Sequence, residues 1–254
     1  MLGSIVTALI ISLAINLLMF FIAFRLNSDK LTDASYAISF IALAVFVLIK
    51  SSSINNYVLL GSLMVIIWAI RIGGFLLYRV IKAGKDKRFD EIRDSFINFG
   101  KFWLGQALTV WILTLPLITS AKSTKPLGLL SIIGILVWLV GLLIEAAADN
   151  QKRIFKNKSK TIHEWIDEGL WHYSRHPNYF GEILVWFGIY IYSFNHLDSL
   201  GKLIGLVSPV FIFLLLRFIS GIPILEKSAD KKWGKDPAYK TYKKQTNLLI
   251  PIRN

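Results

Sequence analysis

From Gly3 to Phe24 the chain carries no charged side chain, and apolar blocks of the same character recur at Tyr36 to Ile49, Tyr57 to Ile81, Phe96 to Ile118, Leu127 to Ala148, Phe180 to Phe194 and Leu203 to Ile222. About 20 apolar residues are what a helix needs to cross a bilayer. A membrane interior offers backbone amides no water, so blocks of this length are read as helices that satisfy their own hydrogen bonds. The expected fold class is all-α: a polytopic membrane helical bundle of about seven transmembrane helices. With 54% hydrophobic and only 18% charged residues, the 254-residue composition excludes an ordinary soluble domain. The first block is too long for the core of a secretory signal and no basic residue precedes it, so it is read as a retained span. The second and sixth blocks are short and call for tilt or snorkelling flanks. No repeat and no low-complexity linker interrupts residues 1–254, which are read as a single transmembrane domain.

The basic residues fix an orientation, because Lys and Arg accumulate on cytoplasmic flanks. With the N-terminus outside and the C-terminus cytosolic, and residues 82–101 taken as one inner segment, 22 of the 29 Lys and Arg residues fall on inner segments, 4 on outer segments and 3 (Arg71, Arg79 and Arg217) deeper within spans. The net charge of +13 is therefore mostly topology and not a nucleic-acid patch. The absence of cysteine excludes a disulfide framework, a thiolate metal site and a cysteine nucleophile.

Some charges stand where a membrane helix avoids them. An Arg or Asp near a helix centre costs roughly 2.5–3.5 kcal/mol on insertion scales. In the third block Trp68, Arg71, Phe75 and Tyr78 share a helical face, and Gly73 and Gly74 admit close approach of a neighbour or ligand. Arg79 is placed to snorkel to the inner interface. In the fifth block Glu145, Asp149 and Lys152 share a face, so two carboxylates need compensation from a basic neighbour or from ligand hydroxyls.

The stretch Gly169-Leu170-Trp171-His172-Tyr173-Ser174-Arg175-His176-Pro177-Asn178-Tyr179-Phe180-Gly181-Glu182 is the most informative. Pro177 suits the first turn of a helix and sets Asn178 and Glu182 one turn apart. Arg175 precedes that start, where amide donors already favour an anion such as a phosphate. His172 and His176 are four apart, but Pro177 and the lack of a third ligand at metal spacing argue against a metal site; His163 and His196 read as incidental. In the tail, Lys-rich segments read as solvated near anionic headgroups, while Tyr239 and Tyr242 could lay an aromatic face across the inner mouth.

These residues resemble the steroid 5-alpha-reductase-like membrane family, particularly its bacterial members, over residues 68–251. The likeness rests on Trp68-Ala69-Ile70-Arg71-Ile72-Gly73 with Arg79, Asp86-Lys87-Arg88-Phe89, Phe102-Trp103 with Gln106, Glu145 to Asp149 with Gln151-Lys152, the Ser174 to Glu182 run, Gly221-Ile222-Pro223 with Glu226, and Tyr239, Tyr242, Thr246 and Pro251. The resemblance implies a seven-helix bundle, expected as a monomer in a bacterial inner membrane, that takes NADPH from the cytosol and a lipid substrate from the bilayer. It maps cofactor contacts onto Asp149, Asn178 and Glu182, and also onto Arg79, Lys156 and Glu226; the wider expected set adds Glu145, Lys152, Arg175, Tyr179 and Tyr242. Lys156 stands where a reductase often has arginine, keeping the charge but losing the planar fork.

One departure matters for chemistry. Steroid reductases polarise the substrate carbonyl with a second-span glutamate and a third-span tyrosine, yet the second block here has no Gln-Glu pair and the tyrosine position holds Trp68. Hydride addition to an enone needs a donor at the developing oxyanion, and Tyr78 with Arg71 are the expected catalytic residues. The expected activity is NADPH-dependent reduction of a conjugated double bond in a sterol-like, polyprenoid or acyl lipid. Arg175-His176-Pro177 with Tyr179 and Gly181, and a glutamate before a C-terminal tyrosine, also resemble isoprenylcysteine and phospholipid methyltransferases, for which S-adenosylmethionine is the alternative cofactor. A non-catalytic lipid-binding bundle is the third possibility.

Overall fold

The computed structural model describes residues 1–28, 30–83, 92, 94–158 and 164–252. The Asp86 to Phe89 motif and His163 lie outside the described residues. Among the described residues ten helices are formed: α1 (Leu2–Arg25), α2 (Lys30–Lys50), α3 (Asn56–Ala83), α4 (Phe96–Ser120), α5 (Leu129–Asn157), α6 (Leu170–Tyr173), α7 (Pro177–Ser193), α8 (Ser199–Leu214), α9 (Ile222–Trp233) and α10 (Pro237–Gln245). A 3₁₀ turn, Phe194–His196, follows α7, and a π-helical turn, Leu215–Ile219, follows α8. The protein is thus an all-α, polytopic membrane protein. Six helical runs among the described residues are long and apolar enough to cross a bilayer, namely Leu2–Arg25, Leu31–Lys50, Asn56–Lys82, Phe96–Ser120, Leu129–Asn157 and Ser199–Trp233. The sixth apolar block of the sequence is α7, a 17-residue helix that begins at Pro177.

The helices group into two compact units, Met1–Ile132 with Tyr192–Ser208 and Ile133–Ile191 with Pro209–Asn254. The units interleave along the chain, so no linker marks them in the sequence.

In the first unit, α1 packs on α2 and α4, and α2 on α3. Buried polar side chains knot three of these helices together. Gln106 Nε2 donates to Asn16 Oδ1 at 2.8 Å, to Ser35 Oγ at 2.8 Å and to the Thr32 carbonyl at 3.2 Å. Asn16 Nδ2 donates to Ser39 Oγ at 3.0 Å, and Ser12 Oγ to the Ala107 carbonyl at 2.8 Å. This knot explains why α2 starts at Lys30, six residues before the apolar block: Thr32 and Ser35 are polar by composition but buried and bonded. In hydrocarbon such bonds are worth about 0.6–2 kcal/mol each.

Elsewhere in this unit His196 lies flat on Tyr57, with centroids 3.5 Å apart, and Tyr57 stacks on Tyr192 at 5.0 Å. Ser123 Oγ and Ser131 Oγ stand 3.0 and 3.3 Å from the two His196 ring nitrogens, and Tyr192 donates to the Tyr57 carbonyl at 2.6 Å. His196, which the sequence passes over, is a pinned structural residue.

The second unit is organised by α5 and α7, which run antiparallel with their backbones almost touching. A Cβ on Gly181 would stand 2.6 Å from the Glu145 amide nitrogen, and one on Gly188 would stand 2.5 Å from that of Trp138. A Cβ on Gly141 would meet the Gly181 carbonyl at 2.7 Å. Membrane helices have little hydrophobic drive to associate, and small residues let van der Waals packing take its place. The tail folds as two short helices: α9 has Pro223 in its first turn, and α10 is capped by Asp236, which accepts from the Ala238 amide at 2.7 Å.

Candidate functional site

The glycine seam brings the carboxylates of α5 to the head of α7. Glu145 and Asp149 are 2% and 6% exposed. Asn178, in the first turn of α7, donates through Nδ2 to Asp149 Oδ1 at 3.3 Å. Lys152 and Lys156 continue the Asp149 face of α5, the first half-buried and the second exposed, while Glu182 lies one turn beyond Asn178 on α7. Asp149, Asn178 and the seam that joins them are therefore one local construction.

The end of α5 is fastened to the segment before α7. Trp171 Nε1 donates to the Ala148 carbonyl at 3.0 Å, and the Lys152 ammonium sits 4.4 Å from the Trp171 ring centroid. Gln151 Oε1 accepts from the Leu170 amide at 3.0 Å. Gly169 stands against that Gln151 amide with φ of +62°, a left-handed conformation in which a side chain would be strained and would clash.

A second cluster centres on Glu226 of α9. Its carboxylate accepts from Arg175, from His176 Nε2 at 2.9 Å and from Lys243 Nζ at 3.3 Å. Lys243 also donates to Asp230, at 2.6 and 2.8 Å. Burial works against the Lys243 ammonium, but its hydrogen bond to Asp230 and the Glu226 charge hold its pKa above the ordinary value. The His176 pKa is pushed down, chiefly by burial, against the pull of Glu226. Lys243 and Asp230 were missed in the sequence; a carboxylate at 226 and an ammonium at 243 give no local sign of pairing.

The C-terminal segment is tied to the same place. Tyr242 donates to the Trp171 carbonyl at 3.0 Å, Ser174 Oγ to the Leu249 carbonyl at 2.7 Å, and the Arg175 amide to the Asn247 carbonyl at 2.9 Å. Burial raises the Tyr242 phenol pKa, keeping it protonated as a donor. Tyr239 and Tyr242 do form part of an aromatic group, with Trp165 and Trp233; Trp165 stands edge-on to Tyr239 at 5.2 Å. Tyr179 stacks on the His176 ring at 5.8 Å.

Of the expected site residues, the second unit contains Glu145, Asp149, Lys152, Lys156, Arg175, Asn178, Tyr179, Glu182, Glu226 and Tyr242. Arg71, Tyr78 and Arg79 belong to the first unit. There Arg71 lies over the Phe75 ring at 5.8 Å, as the shared helical face requires, and Arg79 pairs with Asp33 at 3.9 Å. Tyr78 is 46% exposed, whereas Trp68 is fully buried with its ring edge-on to Phe40 at 5.0 Å, the position of a packing residue.

No curated protein and no solved structure matches the chain. Residues 19–246 match a family described as proteins of unknown function, DUF1295, which is commonly associated with steroid 5-alpha-reductase-like proteins. A match over most of its length, running from α1 to the end of α10, shows that the chain belongs to the DUF1295 family.

Proposed function

We propose that the protein is an NADPH-dependent membrane reductase that saturates a conjugated double bond in a sterol-like, polyprenoid or acyl lipid drawn from the bilayer. The observation that carries this reading is the hydrogen bond from Asn178 to Asp149, which joins two positions that the family resemblance assigns to the cofactor. The donor set fits a dinucleotide: buried carboxylates accept from ribose hydroxyls, an amide both donates and accepts, and cations follow on the same helix face. NADPH, when bound, supplies the hydride. Asp149 and Glu145 hold hydroxyl donors, Asn178 and Glu182 orient the ligand, and Lys152 and Lys156 offset phosphate charge. Arg175 pairs with Glu226 through Nη1, which holds α9 against the start of α7.

In this reading α7 is a seventh span, the N-terminus lies outside and the C-terminus in the cytosol of a bacterial inner membrane, and the monomer is the working form. Equilibrium titration of the detergent-solubilised protein with NADPH tests the site: Asp149→Ala and Glu182→Ala each weaken binding at least about tenfold, the loss of one or two hydrogen bonds. Wild-type affinity in both variants overturns the assignment.

The meeting of Arg175 and His176 with Glu226 favours one second reading, an S-adenosylmethionine-dependent methyltransferase, because those residues carry the likeness to that class. S-adenosylmethionine has no phosphate, so Lys152 and Lys156 would be idle in it. Methyl transfer without NADPH binding would establish it.

A further inference from the structure

His176 is 5% exposed, and its two ring nitrogens are treated differently. Nε2 faces Glu226 Oε1 at 2.9 Å, while Nδ1 is buried without a hydrogen-bond partner among the described residues. A carboxylate paired to Arg175 and Lys243 has only lone pairs to offer, so the ring proton belongs on Nε2. Burial keeps the imidazole neutral. Nδ1 is then a bare, fixed acceptor, set by the same device that orients a histidine in catalytic and metal sites. Buried acceptors in native proteins are paired, and each exception calls for an explanation. The neighbouring residue has an exception as well: Arg175 Nε, a donor, is buried and unpartnered among the described residues. Both stand just before Asn178, at the head of α7.

We infer that His176 Nδ1 and Arg175 Nε are ligand contacts, Nδ1 accepting and Nε donating, for groups of the kind that a sugar hydroxyl or a primary carboxamide presents. This deepens the reductase reading and rests on it for the ligand, since a dinucleotide carries both groups. Glu226, Lys243 and Asp230 are positioning residues in this scheme. They fix the tautomer and need not touch the ligand.

The test is ¹⁵N-detected NMR of the histidines in the full chain in detergent, with no ligand, with NADPH and with S-adenosylmethionine, assigned with two variants. His176→Gln keeps an amide near the Nε2 position and loses Nδ1; His176→Asn keeps one near the Nδ1 position and loses the Glu226 contact. The expected result is an unprotonated, unbonded Nδ1 in the free protein that shifts to a hydrogen-bonded value on saturation with NADPH. His176→Gln then binds NADPH about tenfold more weakly, and His176→Asn, which keeps an acceptor near Nδ1, recovers part of that loss. A protonated Nδ1 in the free protein, or an Nδ1 unmoved while NADPH binds, overturns the inference and leaves the reductase reading standing. Failure of the wild type to bind NADPH overturns both.

Discussion

Asn178, in the first turn of α7, donates to Asp149 near the end of α5 at 3.3 Å, and one turn along the two backbones come into contact at Gly181. The polar pair and the glycine contact depend on each other. The amide reaches the carboxylate because no side chain keeps the helices apart.

Gly181→Leu therefore acts on both. Its Cβ alone would fall 2.6 Å from the Glu145 amide nitrogen, so α5 and α7 must separate. Overpacking of this kind costs about 1–3 kcal/mol. Thermal unfolding in detergent should show a lowered midpoint, and NADPH affinity should fall with it; Gly74→Leu, where a Cβ meets nothing within 4 Å, should leave both nearly unchanged.

Glu226→Ala removes the acceptor shared by Arg175, His176 and Lys243, leaving the Arg175 and Lys243 charges uncompensated in a half-buried setting and the His176 N–H without its acceptor. The expected destabilisation is on the order of 2–4 kcal/mol. Because α9 and α10 depend on this cluster, limited proteolysis should cut residues 234–252 faster in the variant. Glu226→Asp should recover part of the protection.

His196 gives the first unit a pH dependence. Burial, with the Lys125 charge nearby, pushes its pKa down to about 4, below the value near 6.5 of an unfolded chain. Between these values the unfolded state binds the proton and the folded state does not. The stability held in the neutral ring is thus complete above about pH 6.5 and is lost as pH falls through 4. His196→Phe, which keeps a flat ring on Tyr57, should flatten the unfolding midpoint between pH 6.5 and 4; a slope like that of the wild type would remove His196 as its source.

The proposed orientation is open to labelling because the chain has no cysteine. Single cysteines at Lys125 and Lys231 should react with a membrane-impermeant maleimide from opposite sides, Lys125→Cys in intact cells and Lys231→Cys only after lysis. The reverse pattern would invert the topology.

Much of this was legible from local chemistry. Pro177 marked a helix start, and the spacing of Arg71 and Phe75 gave a true face. What stayed hidden depended on distant partners. Thr32 and Ser35 lie outside the apolar block that begins at Tyr36, and only Gln106, far along the chain, shows them to be buried and bonded. Lys243 read as one more solvated lysine, yet it turns inward to Glu226 and Asp230. His196 read as incidental because the serines that hold it and the Tyr57 ring beneath it come from other elements.

The central claim is that Asp149 and Asn178 belong to a dinucleotide site, and thermal unfolding of wild type and Asp149→Ala with NADPH, with S-adenosylmethionine and with neither tests it most directly. A ligand specific for the folded state raises the midpoint as its saturation grows. NADPH should raise the wild-type midpoint, S-adenosylmethionine should not, and Asp149→Ala should lose the response. A midpoint raised by S-adenosylmethionine alone, or an undiminished NADPH response in Asp149→Ala, would contradict the account.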